Sequence, residues 1–393
     1  QSKNPGEIVP HRDEVGHGTF LAGVSAGYDR IDKGFIGAAP DSNLLVVKLK
    51  AAKEYLRDYN LIGAPKTTVY QSTDVIMALK YVVETARSLN MPVVISLGIG
   101  SNEGGHDGTS FTETYMAELG GRRGVVMIAS AGNEANTLHH TSGSLDGIQT
   151  EDIEIKVGEG ERGFILYIWN NAPDKMSISM ISPTGEFIER IPARFGEEEE
   201  IRFILEKTRV KVDYIYPEPR TGDQLTRIRF EDPTPGNWIV TLHGDFIVDG
   251  RYNVWLPREG WIDKDTVFLK PVPQTTVTVP GSGKGTITVG AYNPIDNSLY
   301  SASGRGRTRD DEMKPDLVAP GVNVRGPLSG GGYGQMTGTS IAAAIAAGAA
   351  ALLLEWGIIK GNDTTLTTRK VRTYLIRGAT RRESRRYPDT SWG

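Results

Sequence analysis

The sequence predicts an α/β fold, a parallel sheet with helices on both faces, interrupted by an all-β insertion of β-sandwich or jelly-roll texture. Three observations predict it. Across residues 44–130, short apolar runs alternate with stretches of helical spacing, the pattern of strands and crossover helices in a parallel sheet. From about Thr150 the runs become short and alternating and are separated by Gly, Pro, Asn and Asp, with no helical period. After about Trp261 the first texture returns. The expected division is therefore a core built from residues 1–149 and 261–393, with residues 150–260 inserted into it.

Each element has its own signal. "NLLVVKLK" at 43–50 reads as a buried strand. "STDVIMALKYVVETARSL" carries apolar residues at helical spacing, with Ser72 or Thr73 as N-cap. "MPVVISLGIG" is a strand, "SFTETYMAELG" a helix closed by glycine, and "GVVMIASAGN" a third strand. The insertion then offers about eight strands, from "EDIEIKVGEG" to "GRYNVWLP". The acidic run at 197–200 reads as a solvated turn between strands. "GTITVGAY" and "KPDLVAPG" restore the parallel pattern. "IAAAIAAGAAALLLEWG" is too short and alanine-rich for a membrane span and reads as a buried core helix. The arginine-rich close, "RRESRRYP", reads as a solvated end.

Composition narrows the chemistry. The 393 residues include no cysteine, which excludes disulfides, thiolate metal sites and a cysteine nucleophile. A net charge of -4 gives no reason to expect nucleic acid or a membrane surface as partner. His11 with His17, and His139 with His140, form no recognisable zinc set. The opening "QSKNPGEIVPHRDE" is polar, has no initiating Met and no signal-peptide pattern, so a processed or partial product is expected.

Three polar residues stand out. Ser340 in "GQMTGTSIAAAIAAG" sits where a helix begins, and N–H groups and the positive helix end favour an oxyanion there. His17 in "GHGTFLAGVSAGYD" opens another helix. Asn133 in "IASAGNEAN" follows a strand of small residues, where its amide can donate. Standing alone, each would be an ordinary capping serine, a locally satisfied histidine and a turn asparagine. His106–Asp107 in "GGHDGTS" imitates a dyad, but adjacent side chains face one another poorly, and a solvated loop is the expectation.

Taken in order, His-Gly-Thr, Ser-Leu-Gly at 96–98, Ala-Gly-Asn at 131–133 and Gly-Thr-Ser at 338–340 resemble the subtilisin-like serine proteases. "GAAPDSNLLVVKL" and "KPDLVAPGVNV" extend the resemblance over nearly the whole α/β part. The insertion is similar to that of the clostridial Csp-type germination proteases. The resemblance implies a serine endopeptidase, with His17 as general base, Ser340 as nucleophile, and Asn133 with the Ser340 N–H as oxyanion hole. It implies that Ser96, Leu97 and Gly98 pair with substrate backbone and that Ala131 and Gly132 help wall the specificity pocket. It implies a protein or peptide substrate, no required cofactor, and a bacterial setting outside the cytoplasm or on the spore. Structural calcium is common in the family, but no ligand set is legible.

Two departures stand against the pattern. Ala344 replaces the usual proline, a change a helix accepts readily. No apolar-apolar-Asp-(Thr/Ser)-Gly strand precedes His17, and Asp13, four residues upstream, is an unsuitable partner. The triad aspartate is expected on a missing or separately cleaved N-terminal segment or prodomain of the same gene product. The alternative is a catalytically inactive relative with a regulatory or germinant-sensing role. A third reading makes Trp169, Trp238 and Trp255 a binding platform, although alternating core positions account for them.

Overall fold

A computed structural model describes residues 5–63, 67–147 and 149–393. The chain enters through the helix His17–Ala26, followed by the helix Ser72–Ser88, strand β1 (Val93–Leu97), the helix Phe111–Gly120 and strand β2 (Val125–Ser130). Ser110 caps Phe111–Gly120 in a reciprocal box with Glu113, as the Ser-x-x-Glu spacing dictates. The N-cap of Ser72–Ser88 is Gln71, one residue before the expected Ser72 or Thr73, and its side chain makes no capping bond. Nothing in the side chain favours it; the helix is held instead by Val75, Leu79 and Val83, which are buried.

The sandwich comprises β3 (His140–Ser144), β4 (Thr150–Val157), β5 (Gly163–Asn170), β6 (Lys175–Ile181), β7 (Phe187–Ile191), β8 (Glu198–Arg202), β9 (Arg209–Ile215), β10 (Gln224–Glu231), β11 (Gly236–Phe246), β12 (Arg251–Trp255) and β13 (Val267–Phe268). They form a six-stranded sheet, β3-β12-β5-β10-β9-β8, and a five-stranded one, β13-β4-β11-β6-β7. It recruits β3 and β13 from either side of the 150–260 span, and β7 had no separate signal. Inward residues such as Phe164, Leu166, Ile168, Val240 and Trp238 make one continuous core. β5 is buried along its whole length. Its other face, Ile165, Tyr167 and Trp169, packs with Trp255 and Leu61, which explains a run that reads apolar without alternation. Trp169, Trp238 and Trp255 are all buried, so they present no exposed platform. The acidic run is not a turn: Glu198 and Glu200 lie on the outer strand β8 and pair with Lys211 on β9, because a strand edge lets them reach a cross-strand cation.

The chain returns with β14 (Ile287–Tyr292), β15 (Leu317–Pro320) and a hairpin of β16 (Val324–Pro327) and β17 (Tyr333–Met336). The parallel sheet has the order β1-β2-β14-β15. Helix Thr339–Leu354 covers one face, with Ala342, Ala343, Ala346 and Ala350 against Val126, Ile128, Ile287 and Val289. Alanines let helix and sheet approach closely. Together with the following turn, it has the length and apolar composition of a membrane span, but more than half of the most apolar stretch is buried inside the protein. On the other face, Val75, Leu79 and Met116 pack on Ile95 and Met127.

Two expectations fail here. Residues 43–50 have no regular secondary structure and join no ladder among the described residues. Val47 and Leu49 pack inward beside Ile95, whereas Leu44 is 54% and Val46 69% exposed. An apolar run becomes a strand only where a neighbouring strand takes its N–H and C=O groups. His106–Asp107 is not solvated. Both His106 ring nitrogens meet carbonyls, of Val277 at 2.8 Å and Asn102 at 3.1 Å, and the ring stacks on Trp255. Asp107 pairs with the buried Arg309, which also bonds Asp223 at 2.7 Å from the sandwich. Opposite charge drew the loop inward.

Candidate active site

The site begins with two helix starts. Gly16, with φ 87°, turns the chain into His17–Ala26 in a left-handed conformation that suits glycine. Asp13 accepts hydrogen bonds from the N–H groups of Val15, Gly16 and Thr19 and from the Thr19 hydroxyl. Burial pushes its carboxyl up, but these donors outweigh burial and bring it down to about 2. Asp13 is thus a capping carboxylate. No hydrogen bond joins it to His17, which agrees with its dismissal as a triad partner.

The second start is Gly338, after which Ser340 lies in the first helical turn, whose N–H groups have no acceptor within the helix. The two helices pack through Phe20, Val24, Ile341 and Ala344, so the alanine in the proline position is a core contact. This packing brings His17 Nε2 to 2.9 Å from Ser340 Oγ, across 323 positions of sequence. Burial lowers the pKa of His17; the Asp13 charge opposes this and the Arg258 charge adds to it. A neutral imbalance of this kind leaves an imidazole able to accept the serine proton.

Asn133 joins them. Its Oδ1 accepts from the Thr339 N–H and the Thr339 hydroxyl, both at 3.0 Å. With Oδ1 taken twice, Nδ2 is the donor left for a ligand. A side chain at Gly338 would stand 3.4 Å from Asn133 Nδ2 and 3.5 Å from Ser340 Oγ, filling the space between donor and hydroxyl. Thr339 also accepts from the Gly132 N–H at 3.1 Å, which latches the asparagine segment to the serine helix. That role was not read from the sequence, although Thr339 lies inside Gly-Thr-Ser.

Ser96 and Leu97 pair with β2 on one side only. Gly98 reaches the dyad: a Cβ there would lie 3.0 Å from Ser340 Cβ and 3.5 Å from His17 Cε1. Ala131 and Gly132 are close too, but their backbone groups are spent. Ala131 bonds Val289 and Thr278, and Gly132 bonds Thr339 and Gly304. They can wall a pocket without donating to a ligand. Among the described residues, no group of three or more His, Asp or Glu could hold a metal ion.

The subtilase family profile matches residues 2–152 and 266–393, leaving out most of the two antiparallel sheets. The chain belongs to the subtilase family. It is similar to serine protease AprX of Bacillus subtilis, 39% identical over 100 residues, covering 20% of this chain and 23% of that protein. Subtilisin E of Bacillus subtilis is 39% identical over 106 residues, covering 27% of this subtilase and 24% of its relative. The chain thus spans about a quarter of these relatives' lengths. Among solved structures, the CspB protease of Clostridium perfringens superposes with a TM-score of 0.88 at 32% identity, over 100% of this subtilase and 80% of that chain. That likeness supports a Csp-type subtilase.

Proposed function

We propose that this subtilase is the catalytic unit of a serine endopeptidase that hydrolyses peptide bonds through an acyl-enzyme. The observation that carries the reading is the 2.9 Å contact of His17 Nε2 with Ser340 Oγ. Neutral His17 takes the Ser340 proton as Oγ attacks the scissile carbonyl, then gives it to the leaving amine. Water attacks the acyl ester with His17 again as base, and Ser340 is restored. Asn133 Nδ2 and the Ser340 N–H hold the oxyanion in both halves. A protein or peptide substrate lies as an added strand along Ser96, Leu97 and Gly98, with Ala131 and Gly132 walling its side-chain pocket.

His17 Nδ1 needs an acceptor to fix the tautomer, and none of the described residues bonds it. We assign that carboxylate to an N-terminal segment or prodomain of the same gene product, seated beside residues 43–50. The unbonded Nδ1 also favours a second reading, an inactive relative with a regulatory or germinant-sensing role. A fluorophosphonate separates the two. Labelling of Ser340 in the protein purified with every segment of its gene product supports the peptidase. No labelling, with Ser340→Ala indistinguishable from wild type on peptides, overturns it.

A further inference from the structure

Two buried polar atoms, on Arg258 and Thr278, have no hydrogen-bond partner. Arg258 lies between β12 and β13 and donates from one guanidinium nitrogen to the Gly100 carbonyl at 3.2 Å. Its Nε is buried and has no partner. Thr278 is 3% exposed, and its hydroxyl is likewise buried and unpartnered. Each lies against Gly100. A Cβ at Gly100 would fall 2.3 Å from Thr278 Oγ1, and one at Gly132 would fall 2.5 Å from it. Thr278 therefore lies between the segment that continues Ser96, Leu97 and Gly98 and the segment of Ala131 and Gly132. Its N–H bonds the Ala131 carbonyl at 3.0 Å, which fixes it there.

Arg258 also acts on the dyad. After burial and the opposing pull of Asp13, its charge is the next influence on His17. Burial pushes the Glu134 carboxyl, next to Asn133, up, but its His139 partner and the Arg258 charge bring it below its ordinary value; it opposes the Arg258 charge without a hydrogen bond to that side chain. Its carboxylate is engaged by His139, Asn102, Thr137 and the Glu259 N–H. The Arg258 Nε–H and the Thr278 hydroxyl, each unbonded, lack an acceptor of the kind a carboxylate provides.

We propose that Arg258 and Thr278 form the floor of the pocket for the side chain immediately before the scissile bond, and select a carboxylate there. The proposal rests on the peptidase reading above. A glutamate or aspartate side chain supplies acceptors to both groups. A leucine leaves them unbonded, and a lysine adds a like charge; sites built to bond a polar side chain reject those that cannot.

The test is a peptide series differing only at that residue, Glu, Asp, Gln, Leu, Phe or Lys, cleaved by the protein with every segment of its gene product. The expected kcat/KM for Glu or Asp exceeds that for Gln, Leu and Phe by about tenfold or more, with Lys lowest. Assayed well above the histidine range, where His17 is neutral with or without the Arg258 charge, Arg258→Gln is expected to cost about 10²-fold on the Glu peptide while leaving Leu within about threefold. Thr278→Val costs a smaller factor on Glu alone. A wild-type profile led by Leu, Phe or Gln overturns the proposal, as does an Arg258→Gln loss shared equally by all peptides. Fluorophosphonate labelling of the same preparations keeps the two readings apart: an unlabelled Ser340 removes the peptidase reading, and a labelled enzyme with the wrong profile removes only the pocket floor.

Discussion

The sandwich and the parallel sheet solve the same problem with different completeness. Every strand of the sandwich finds an antiparallel partner within its own sheet, some from far along the chain, as β3 with β12 and β4 with β11, and β5 is buried from end to end. The α/β part keeps residues 43–50 outside any ladder among the described residues, with Leu44 and Val46 exposed. A ladder needs a neighbour whatever its direction: β3 finds one more than a hundred residues away, whereas residues 43–50 find none among the described residues. The chemistry sits on the less complete region: His17, Asn133 and Ser340 all belong to it. The sandwich contributes the neighbourhood, through Asp223, which bonds Arg309 at the junction, and Arg258 at the cleft.

Four experiments break or sharpen that contrast. The largest effect falls on the α/β part. Ser340→Ala or His17→Ala should each lower peptide hydrolysis by about 10⁴-fold or more, read as kcat, with the circular-dichroism spectrum unchanged. Loss of equal size from a substitution inside the sandwich would deny the division of labour. Arg309→Ala strands the Asp107 and Asp223 carboxylates at the junction and should destabilise by about 3–5 kcal/mol in denaturant melts. The two regions should then unfold in separate steps. Asn133→Ala should cost about 10²–10³-fold in kcat with little change in KM, because its amide serves charge that develops only in the transition state. The smallest effect is on pH. Burial depresses His17, so the base form persists below the ordinary histidine value of about 6.5. Activity should hold as pH falls through 6.5 and decline only below it, as the imidazole takes up its proton. A kcat/KM profile with its acid limb above 7 would contradict a buried, neutral base.

Local pattern served the two regions unequally. The sandwich strands could be found from alternation and turn residues, and β7 escaped because "KMSISMISPTGEFIERI" contains no long break. The helices Ser72–Ser88 and Phe111–Gly120 and the strands β1, β2, β14 and β15 followed from their periods. Residues 43–50 carry the composition of a strand, but a ladder requires a neighbour, and composition does not supply one. His106–Asp107 looked like a loop because Gly and Ser surround it. Its burial depends on Arg309 and Trp255, more than a hundred residues away. Arg258 and Thr278 sit in "LPREGW" and "TVTVPG", which hold no pattern that marks a cleft.

The sequence alone determined which segments fold as helix or strand, where the all-β part interrupts the α/β part, and which serine, histidine and asparagine were worth following, since these depend on near neighbours and on the order of short motifs. Only the tertiary structure decided the 2.9 Å approach of His17 to Ser340, the aim of the Asn133 amide, the capping duty of Asp13 and the approach of Arg258 and Thr278 to Gly100. Those depend on packing between elements far apart in the chain. A hydrogen bond is lost over about an ångström, a tolerance that local pattern does not specify.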